Sequence, residues 1–394
     1  MATDRIYLCL AQMSPTGAEQ RFIKEAFDTN WVVPLGPNVN GFEADLEAFV
    51  ARQKKVVALS SCTAAIHLAL LHLGVGQGDE VLCQSFSFCA STNPVVYCGA
   101  QPVFIDSETA TWNMDPALLE RAIQDRIVKT GKKPKAIIVV DLYGMPADWE
   151  ALERVGKQYE IPIIEDAANA LGSLYLDQPC GTFGQMGTFS FNGNKMITTS
   201  GGGALVCGDE ETKKHAIFLS TQAREPYPYY QHETIGYNYR MSNICAGIGR
   251  GQMTVLHDHI SHHAHLYNLY RSLLSEIPGI KLHGNPDGRY NSNFWLNTIT
   301  LDPTLKVVGQ KEPHDTCEPN PNVEAMRVYL DQKGIEARPL WKPMHKQPVY
   351  KEAPAYTNGV SEQLFRVGMC LPSGPCVSDD DVRYIVDCIK EAIE

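Results

Sequence analysis

Short apolar runs alternate with amphipathic stretches between about residues 55 and 210, and this alternation predicts strands and helices in turn. The runs are rich in β-branched residues and predict seven strands, at 56–59, 80–83, 102–105, 136–141, 162–165, 188–191 and 204–207. The stretches between them predict helices at 63–73, 116–128 and 148–159. Strands that alternate with helices indicate an α/β fold with a mostly parallel, seven-stranded sheet covered on both faces. Such sheets bind ligands at the carboxyl ends of their strands.

The pattern changes near Asn243. Helical periodicity continues from residue 243 to 274, with no proline before Pro278, so we expect one long helix there. Further along we predict a strand at 294–300, a helix at 323–333 and a last helix at 379–393 that is capped by Ser378. These elements indicate a smaller α+β domain at residues 256–394, after a large domain at 1–255 that comprises the N-terminal segment and the predicted sheet. The polar segment 306–322 is interpreted as a surface loop, either a lid or an exposed insertion.

Composition and charge exclude several classes of protein. The chain of 394 residues is 44% apolar and 20% charged, which is ordinary globular usage and argues against disorder. Its net charge is −11, so a protein that binds nucleic acid through clustered positive charge is disfavoured. No apolar run approaches the ~20 residues that span a bilayer, and the apolar stretch near the N-terminus is too short for a signal peptide. We therefore expect a cytoplasmic protein without a membrane segment.

The twelve cysteines are irregularly spaced and include no C-x-x-C pair, which argues against zinc and iron–sulfur sites. We expect reduced thiols that are mostly buried.

A lysine and a carboxylate occupy the ends of two predicted strands. The run 162–165 continues into Asp166, and Lys195 follows the run 188–191, just before three glycines at 201–203. Burying a lysine is costly, but a cofactor with a carbonyl group uses such an amine to form a Schiff base. Pyridoxal phosphate needs this lysine together with a carboxylate at its pyridine nitrogen. The two residues therefore point to that cofactor.

Two further segments match the needs of the same cofactor. Ser60-Ser61-Cys62-Thr63-Ala64-Ala65 follows a predicted strand and opens a helix, where free backbone N–H groups favour a phosphate. Ser85-Phe86-Ser87-Phe88 ends the next strand and offers an aromatic face for the cofactor ring.

Eight motifs in order carry a resemblance that covers essentially the whole chain. They are SSCTAAIHLAL, SFSFCAS, PVFID, IEDAANALGS, FSFNGNK, GYNYRMSNICAGIG, ARPLWKPMHKQPVY and CLPSGPCVSDDDV. With them the sequence resembles the sugar-nucleotide aminotransferases of the DegT/DnrJ/EryC1/StrS family, which are pyridoxal phosphate enzymes of fold type I. The resemblance implies that fold and an aminotransferase that acts on a nucleotide sugar.

The resemblance also implies a role for individual residues. Lys195 would form the Schiff base, and Asp166 would bind the pyridine nitrogen. The other cofactor-binding residues it implies are Phe88 over the ring, Asn169 where relatives often have His, Gln or Glu, and, around the phosphate, Cys62, Thr63, Ala64, Ser190 and Asn238. In the family the asparagine at 238 reaches the phosphate in the neighbouring subunit, which implies a homodimer with shared active sites.

Within the family, the sequence is most similar to the enzymes that aminate C4 of a UDP-4-keto-6-deoxy-N-acetylhexosamine on the way to bacillosamine. The amino donor would be glutamate, whose carboxylate would bind Arg240 or Arg338; the sequence does not decide between them. Substrate-binding residues implied by the resemblance are Asn30, Trp31, Val32, Val33 and Pro34 at the sugar end, and Arg338, Trp341 and His345 facing the nucleotide sugar.

Three alternatives stay open at this point. A sugar dehydratase of the same family has histidine in place of the lysine, so Lys195 disfavours this lyase. A second possibility is an aminotransferase of another subgroup, which uses a GDP- or dTDP-linked keto-sugar or aminates C3. A non-catalytic binding protein on this fold would be expected to lack Lys195 or Asp166, and both are present.

Five histidines lie between residues 257 and 265 on the predicted long helix. The spacing of His259, His262 and His263 would suit a divalent metal. Because there is no H-E-x-x-H pattern and the family needs no metal, we expect a solvated helix face and no metal site.

Overall fold

The computed structural model describes residues 5–312 and 318–393, which form three sheets and the helices around them. The strands in these ranges are β1 (Lys55–Leu59), β2 (Glu80–Gln84), β3 (Gln101–Ile105), β4 (Ala136–Val140), β5 (Ile163–Asp166), β6 (Leu174–Tyr175), β7 (Gln178–Pro179), β8 (Met186–Ser190), β9 (Gly203–Cys207), β10 (Ile280–Leu282), β11 (Tyr290–Asn291), β12 (Asn297–Leu301), β13 (Arg338–Pro339), β14 (Ala355–Tyr356) and β15 (Gly368–Leu371). The helices are α1 (Ala18–Asp28), α2 (Pro37–Val50), α3 (Cys62–His72), α4 (Asn93–Tyr97), α5 (Pro116–Thr130), α6 (Trp149–Tyr159), α7 (Glu210–Ser220), α8 (Asn243–Met253), α9 (Leu256–Leu274), α10 (Pro321–Gln332), α11 (Val360–Val367) and α12 (Asp379–Ala392).

The largest sheet has eight strands in the order β1-β9-β8-β5-β4-β2-β3-β14. Neighbours from β8 to β14 are parallel, whereas β9 runs antiparallel to both β1 and β8. All seven predicted strands are therefore present, and the mostly parallel α/β fold is confirmed. The predicted number of strands was one too low, because β14 is two residues long and too short to show a periodicity.

Side-chain caps fix where several helices begin. Asp115 accepts hydrogen bonds from the first turn of α5, and Asp148 accepts one from Ala151 N–H in α6. At the start of α12, Ser378 and Asp381 bind each other's backbone N–H groups, as a capping box does. The predicted cap at Ser378 is confirmed.

The single long helix predicted at 243–274 is wrong. Two helices, α8 and α9, are separated by Thr254 and Val255. Thr254 Oγ1 donates to the carbonyl of Gly251 at 2.6 Å, and Val255 leaves the helical region with φ −117° and ψ 4°. Two β-branched residues in a row thus end α8, and the periodicity on both sides hides the break.

A four-stranded antiparallel sheet, β10-β12-β15-β13, lies in the C-terminal part of the chain. It shares an apolar cluster with α9, α10 and α12. The predicted strand at 294–300 begins later, at β12, because Phe294 has φ 50° and is not extended. The strand β14 belongs to the large sheet, although it follows β13 of the small sheet in the chain. The two sheets are therefore not built from separate halves of the chain, and the division at residue 255 stays a prediction.

The predicted surface loop at 306–322 is wrong at both ends. Val307 is buried and its backbone pairs with Ile393, while Pro321 begins α10. Residues 313–317 of that segment lie outside the described residues. Within the described ranges, no helix is both long and apolar enough to cross a membrane.

Candidate active site

A cavity of about 630 Å³ opens at the carboxyl ends of β5 and β8 and the start of α3. Nine of the predicted site residues line it, namely Cys62, Thr63, Phe88, Asp166, Asn169, Ser190, Lys195, Arg338 and Trp341. The structure therefore brings together residues that lie up to 279 positions apart, from Cys62 to Trp341 (341 − 62). This is where a parallel sheet is expected to bind its ligand.

Lys195 places its amine inside this cavity. The turn that follows β8 is closed by Lys195 N–H, which donates to the carbonyl of Asn192 at 3.0 Å. Lys195 Nζ donates to Asn169 Oδ1 at 2.8 Å and lies 4.1 Å from the centroid of the Trp295 ring. Burial lowers the pKa of Lys195 to about 8, against the opposing charge of Asp166. A useful fraction of the amine is therefore unprotonated near neutral pH, as a nucleophile or a proton carrier requires.

Asp166 is the last residue of β5 and is 4% exposed. Its Oδ2 accepts from Ser91 Oγ at 2.6 Å, and its Oδ1 accepts from Ala168 N–H at 3.1 Å. Burial raises the pKa of Asp166, and these two donors oppose the rise. Among the described residues no cation forms an ion pair with it, so a positively charged ligand atom would stabilise the carboxylate.

The first turn of α3 offers two backbone N–H groups to the cavity. Those of Cys62 and Thr63 have no acceptor in the part of the chain that the structure describes. The N–H of Ala64 instead donates to the helix-capping Ser61 Oγ at 3.0 Å and the residue does not line the cavity, so its predicted contribution finds no support here and stays a prediction. The remaining groups, with Ser190 at the end of β8, suit an anion.

Aromatic side chains form part of the cavity wall. Phe88 is 56% exposed, and its ring centroid lies 5.8 Å from that of Trp341. Trp341 N–H donates to the hydroxyl of Tyr143 at 2.9 Å, which fixes the backbone of this segment. An exposed aromatic face on the cavity is available for a flat ring.

This arrangement of a lysine with a lowered pKa, a buried carboxylate and an anion-binding turn can be compared with known proteins. The sequence matches the DegT/DnrJ/EryC1/StrS aminotransferase family over residues 15–390. The chain belongs to this family.

Individual relatives agree with this assignment. The chain is 45% identical to "Putative pyridoxal phosphate-dependent aminotransferase EpsN" of Bacillus subtilis (strain 168), covering 98% of this chain and 95% of that protein. It is 34% identical to "GDP-perosamine synthase" of Escherichia coli O157:H7, covering 98% of each. A DegT DnrJ EryC1 StrS aminotransferase from Brucella abortus has a crystal structure that matches with a TM-score of 0.85 at 27% identity, over 95% of each chain. The protein is a pyridoxal phosphate-dependent sugar aminotransferase of fold type I.

The cavity of the aminotransferase fits its cofactor. Asp166 lacks a cationic partner among the described residues, and the N–H groups of Cys62 and Thr63 lack acceptors, so a protonated pyridine nitrogen and a phosphate would satisfy groups that the protein leaves open. Lys195 supplies the amine that the cofactor requires. The predicted cofactor is thereby confirmed.

Besides Ala64, seven predicted site residues of the aminotransferase do not line the cavity of their own chain: Asn30, Trp31, Val32, Val33, Pro34, Asn238 and His345. The segment 30–34 follows α1 and is held by Asn243, whose Nδ2 donates to the carbonyl of Trp31 at 2.9 Å. His345 is instead bound on both ring nitrogens, by Ser85 Oγ at 2.6 Å and by Glu362 at 3.1 Å. Asn238 is exposed, and its backbone pairs with Thr221.

The two arginine candidates for the donor carboxylate differ in position. Arg240 is bound inside the protein by Glu43 and by the carbonyl of Ala58. Arg338 lines the cavity, and its side chain is 68% exposed with a 2.7 Å ion pair to Glu336. The structure therefore favours Arg338.

The histidines at 257–265 bind parts of the protein. His259 and His263 donate to the carbonyls of Met196 and Phe294 at 3.0 and 3.1 Å, and His262 donates to that of Val377 at 2.9 Å. The predicted solvated face is wrong for His259 and His263, which are buried.

Sequence reasoning missed two side chains of the site. Ser91, which donates to Asp166, lies three residues beyond Phe88 and is the last residue of the SFSFCAS motif. Trp295, which contacts Lys195, comes from a segment 100 residues away (295 − 195), and no local pattern relates the two.

Proposed function

We propose that this aminotransferase moves an amino group from glutamate to C4 of a UDP-4-keto-6-deoxy-N-acetylhexosamine. The observation that carries amino transfer is the placement of Lys195 and Asp166 in one cavity with the anion-binding turn of α3. The choice of sugar is supported by the sequence resemblance of four stretches: NWVVPLG at 30–36, FNGNKMITTSGGG at 191–203, STQARE at 220–225 and ARPLWKPMH at 337–345.

Each polar residue of the cavity has a task in this proposal. When bound, pyridoxal phosphate supplies an electron sink for the carbanion that amino transfer requires. Asp166 keeps a proton on the pyridine nitrogen, since a buried carboxylate without another cation favours a positive neighbour. Lys195, with a pKa of about 8, gains and loses a proton near neutral pH and so carries it to and from the substrate carbon. Asn169 directs the lysine amine through its 2.8 Å hydrogen bond.

The proposed phosphate site consists of the N–H groups of Cys62 and Thr63, with the hydroxyl of Ser190. The proposed ring contact is Phe88. We assign the donor carboxylate to Arg338, which is at the cavity and exposed, and we place Trp341 against the nucleotide sugar.

The proposed active unit is a homodimer with shared sites. Trp31, Val32 and Val33 are 40%, 47% and 40% exposed, and Asn238 is also exposed, so these residues are free to complete a neighbouring cavity rather than their own. Exposed apolar side chains next to a predicted site are typical of an interface. His345 is the exception: its two hydrogen bonds and 7% side-chain exposure support an indirect role, through Ser85, rather than contact with substrate.

The nucleotide of the substrate has a specific alternative, GDP in place of UDP, because the relative from Escherichia coli is named "GDP-perosamine synthase". The test has two stages. Glutamate is added to the cofactor-loaded protein, which should change the visible absorbance of the bound cofactor, and excess glutamate is removed. UDP-, GDP- and dTDP-linked 4-keto-6-deoxy sugars are then offered separately, with mass spectrometry of the amino-sugar product.

We expect the UDP-linked N-acetylhexosamine to be aminated and to restore the original absorbance. Amination of the GDP- or dTDP-linked sugar instead would overturn the assigned nucleotide. Release of a deoxygenated sugar without amination would show a dehydratase. The Lys195→Ala variant, expected to show neither stage, is the control for reaction at the proposed amine.

A further inference from the structure

The amine of Lys195 has two contacts of different kinds. Asn169 Oδ1 accepts its hydrogen bond, and the indole face of Trp295 lies 4.1 Å away, within the range of a cation–π contact. Asp166, Cys62 and Cys9 also face the amine electrostatically, but among the described residues its hydrogen bond goes to Asn169. The amine is therefore held by neutral groups.

The indole is fixed in this position. Trp295 is 2% exposed, and its Nε1–H donates to the carbonyl of Asn194, next to Lys195 in the chain, at 2.7 Å. Its ring therefore keeps one face toward the amine.

One buried amide connects the two segments that hold the lysine. Asn293 Nδ2 donates to the carbonyls of Asn169 and Leu171 at 2.9 Å each, and Asn293 Oδ1 accepts from Trp295 N–H at 2.9 Å. Gly144 makes room for this side chain, because a Cβ there would lie 2.0 Å from Asn293 Oδ1. A change at Asn293 would thus reach both contacts of the amine.

We propose that Trp295, together with Asn169, holds the amine of Lys195 whenever it is not bonded to the cofactor, and that Asn293 is the positioning residue for both. The inference rests on the proposed role of Lys195. Amino transfer frees this amine in the donor half-reaction and bonds it to the cofactor again in the acceptor half-reaction, so the free amine needs a defined place in the cavity between the two. A π face attracts the cation without a strong acceptor that would keep it from returning.

The test follows capture of pyridoxal phosphate by protein freed of cofactor, measured as the rise of visible absorbance at a series of pH values. The unprotonated amine adds to the aldehyde carbon and water leaves, so the rate rises with pH through the pKa of Lys195. Trp295→Phe and Trp295→Leu are compared because both lose volume but only phenylalanine keeps a π face. A π face stabilises the protonated amine and so raises its pKa. We therefore expect the pH midpoint of the capture rate for Trp295→Leu to lie roughly 0.5 to 1 pH unit below that for Trp295→Phe.

Asn293→Ala should also lower the pH midpoint of the capture rate, as Trp295→Leu does, because the backbone N–H of Trp295 loses its acceptor and the indole is no longer held in place. Trp112→Leu is the matched control: it removes an indole from the same apolar cluster, but one that stacks on His283 at 3.8 Å. Its midpoint should equal that of the wild type. Circular dichroism confirms that each variant is folded.

Equal midpoints for the phenylalanine and leucine variants would overturn the role of Trp295. An unchanged midpoint for Asn293→Ala would overturn its positioning role. A Lys195→Ala protein that captures the cofactor with the wild-type pH profile would instead overturn the proposed function itself.

Discussion

Replacing Asp141 by asparagine should stabilise the protein at neutral pH, because two buried carboxyl groups face each other beneath the active site. Asp141 and Glu165 are both fully buried, and their oxygens lie within 4.8 Å of each other and of Cys180 Sγ. Asp141 Oδ1 accepts from Ala147 N–H and Trp149 Nε1–H, whereas its Oδ2 has no partner among the described residues. The pair is therefore able to share a proton but is poorly placed to hold two charges.

The magnitude follows from the pKa values. Burial raises the pKa of Asp141 to about 6 and, with the neighbouring Asp141, raises the pKa of Glu165 well above its usual range. In the unfolded chain an aspartate titrates near ~3.9. The pKa of Asp141 is higher in the folded protein than in the unfolded chain. Protonated Asp141 therefore makes its full contribution to the free energy of unfolding below about pH 4, and this contribution is lost as the pH rises through about 6. At neutral pH this loss amounts to about 3 kcal/mol.

Asparagine at this position cannot become charged, so the variant does not bury a second negative charge beside Glu165 as the pH rises. The free energy of unfolding of wild type and Asp141→Asn is measured with urea at about pH 4 and about pH 7.5. The difference between variant and wild type should be about 3 kcal/mol more favourable to the variant at the higher pH. Asp106→Asn is the control, since both oxygens of this buried carboxylate accept backbone N–H groups and the variant should be destabilised at both pH values. A pH-independent effect of Asp141→Asn would refute the reasoning.

Three further changes address the site. Asp166→Ala should weaken cofactor retention on dialysis and slow the glutamate half-reaction by at least ~100-fold, because the ring loses its counter-charge; wild-type values for both would exclude this role. Arg338→Ala should raise the KM for glutamate about 10- to 100-fold, through a lost charge-assisted bond, and a KM that rises only in Arg240→Ala would reverse the assignment. The Asn238→Ala and Lys195→Ala homodimers should each be impaired. An equal mixture that exchanges subunits should form about half heterodimers, each with one complete site, so that about a quarter of all sites are rebuilt. Heterodimers without activity would show that Asn238 does not act across the interface.

The sequence predicted the large sheet because each of its long strands is a local apolar run between turn signals. It also placed Lys195 and Asp166 correctly at one edge, since parallel strands bring their carboxyl ends together. The two-residue β14 was beyond prediction, because its pairing with β3 depends on a distant part of the chain.

Expectations about single side chains depend on which partner each group finds in the folded chain. The N–H of Ala64 looked free in sequence but donates to Ser61 of its own helix cap. Both ring nitrogens of His345 are bound, by Ser85 and Glu362, and its role in the substrate site stays a prediction. The contact of Trp295 with Lys195 was missed for the same reason. Local patterns predict the elements and the chemistry they carry, but tertiary packing decides which groups stay available.

The role of Lys195 requires that its amine is bonded to the cofactor before the amino donor arrives. Borohydride reduction of the cofactor-loaded protein makes that bond permanent, and mass spectrometry of the digested protein then locates the added group. We expect a phosphopyridoxyl group on Lys195, and we expect this group to be absent when glutamate is added before the reduction. Modification of a different lysine, or none on Lys195 in a protein that still transfers amino groups, would contradict it.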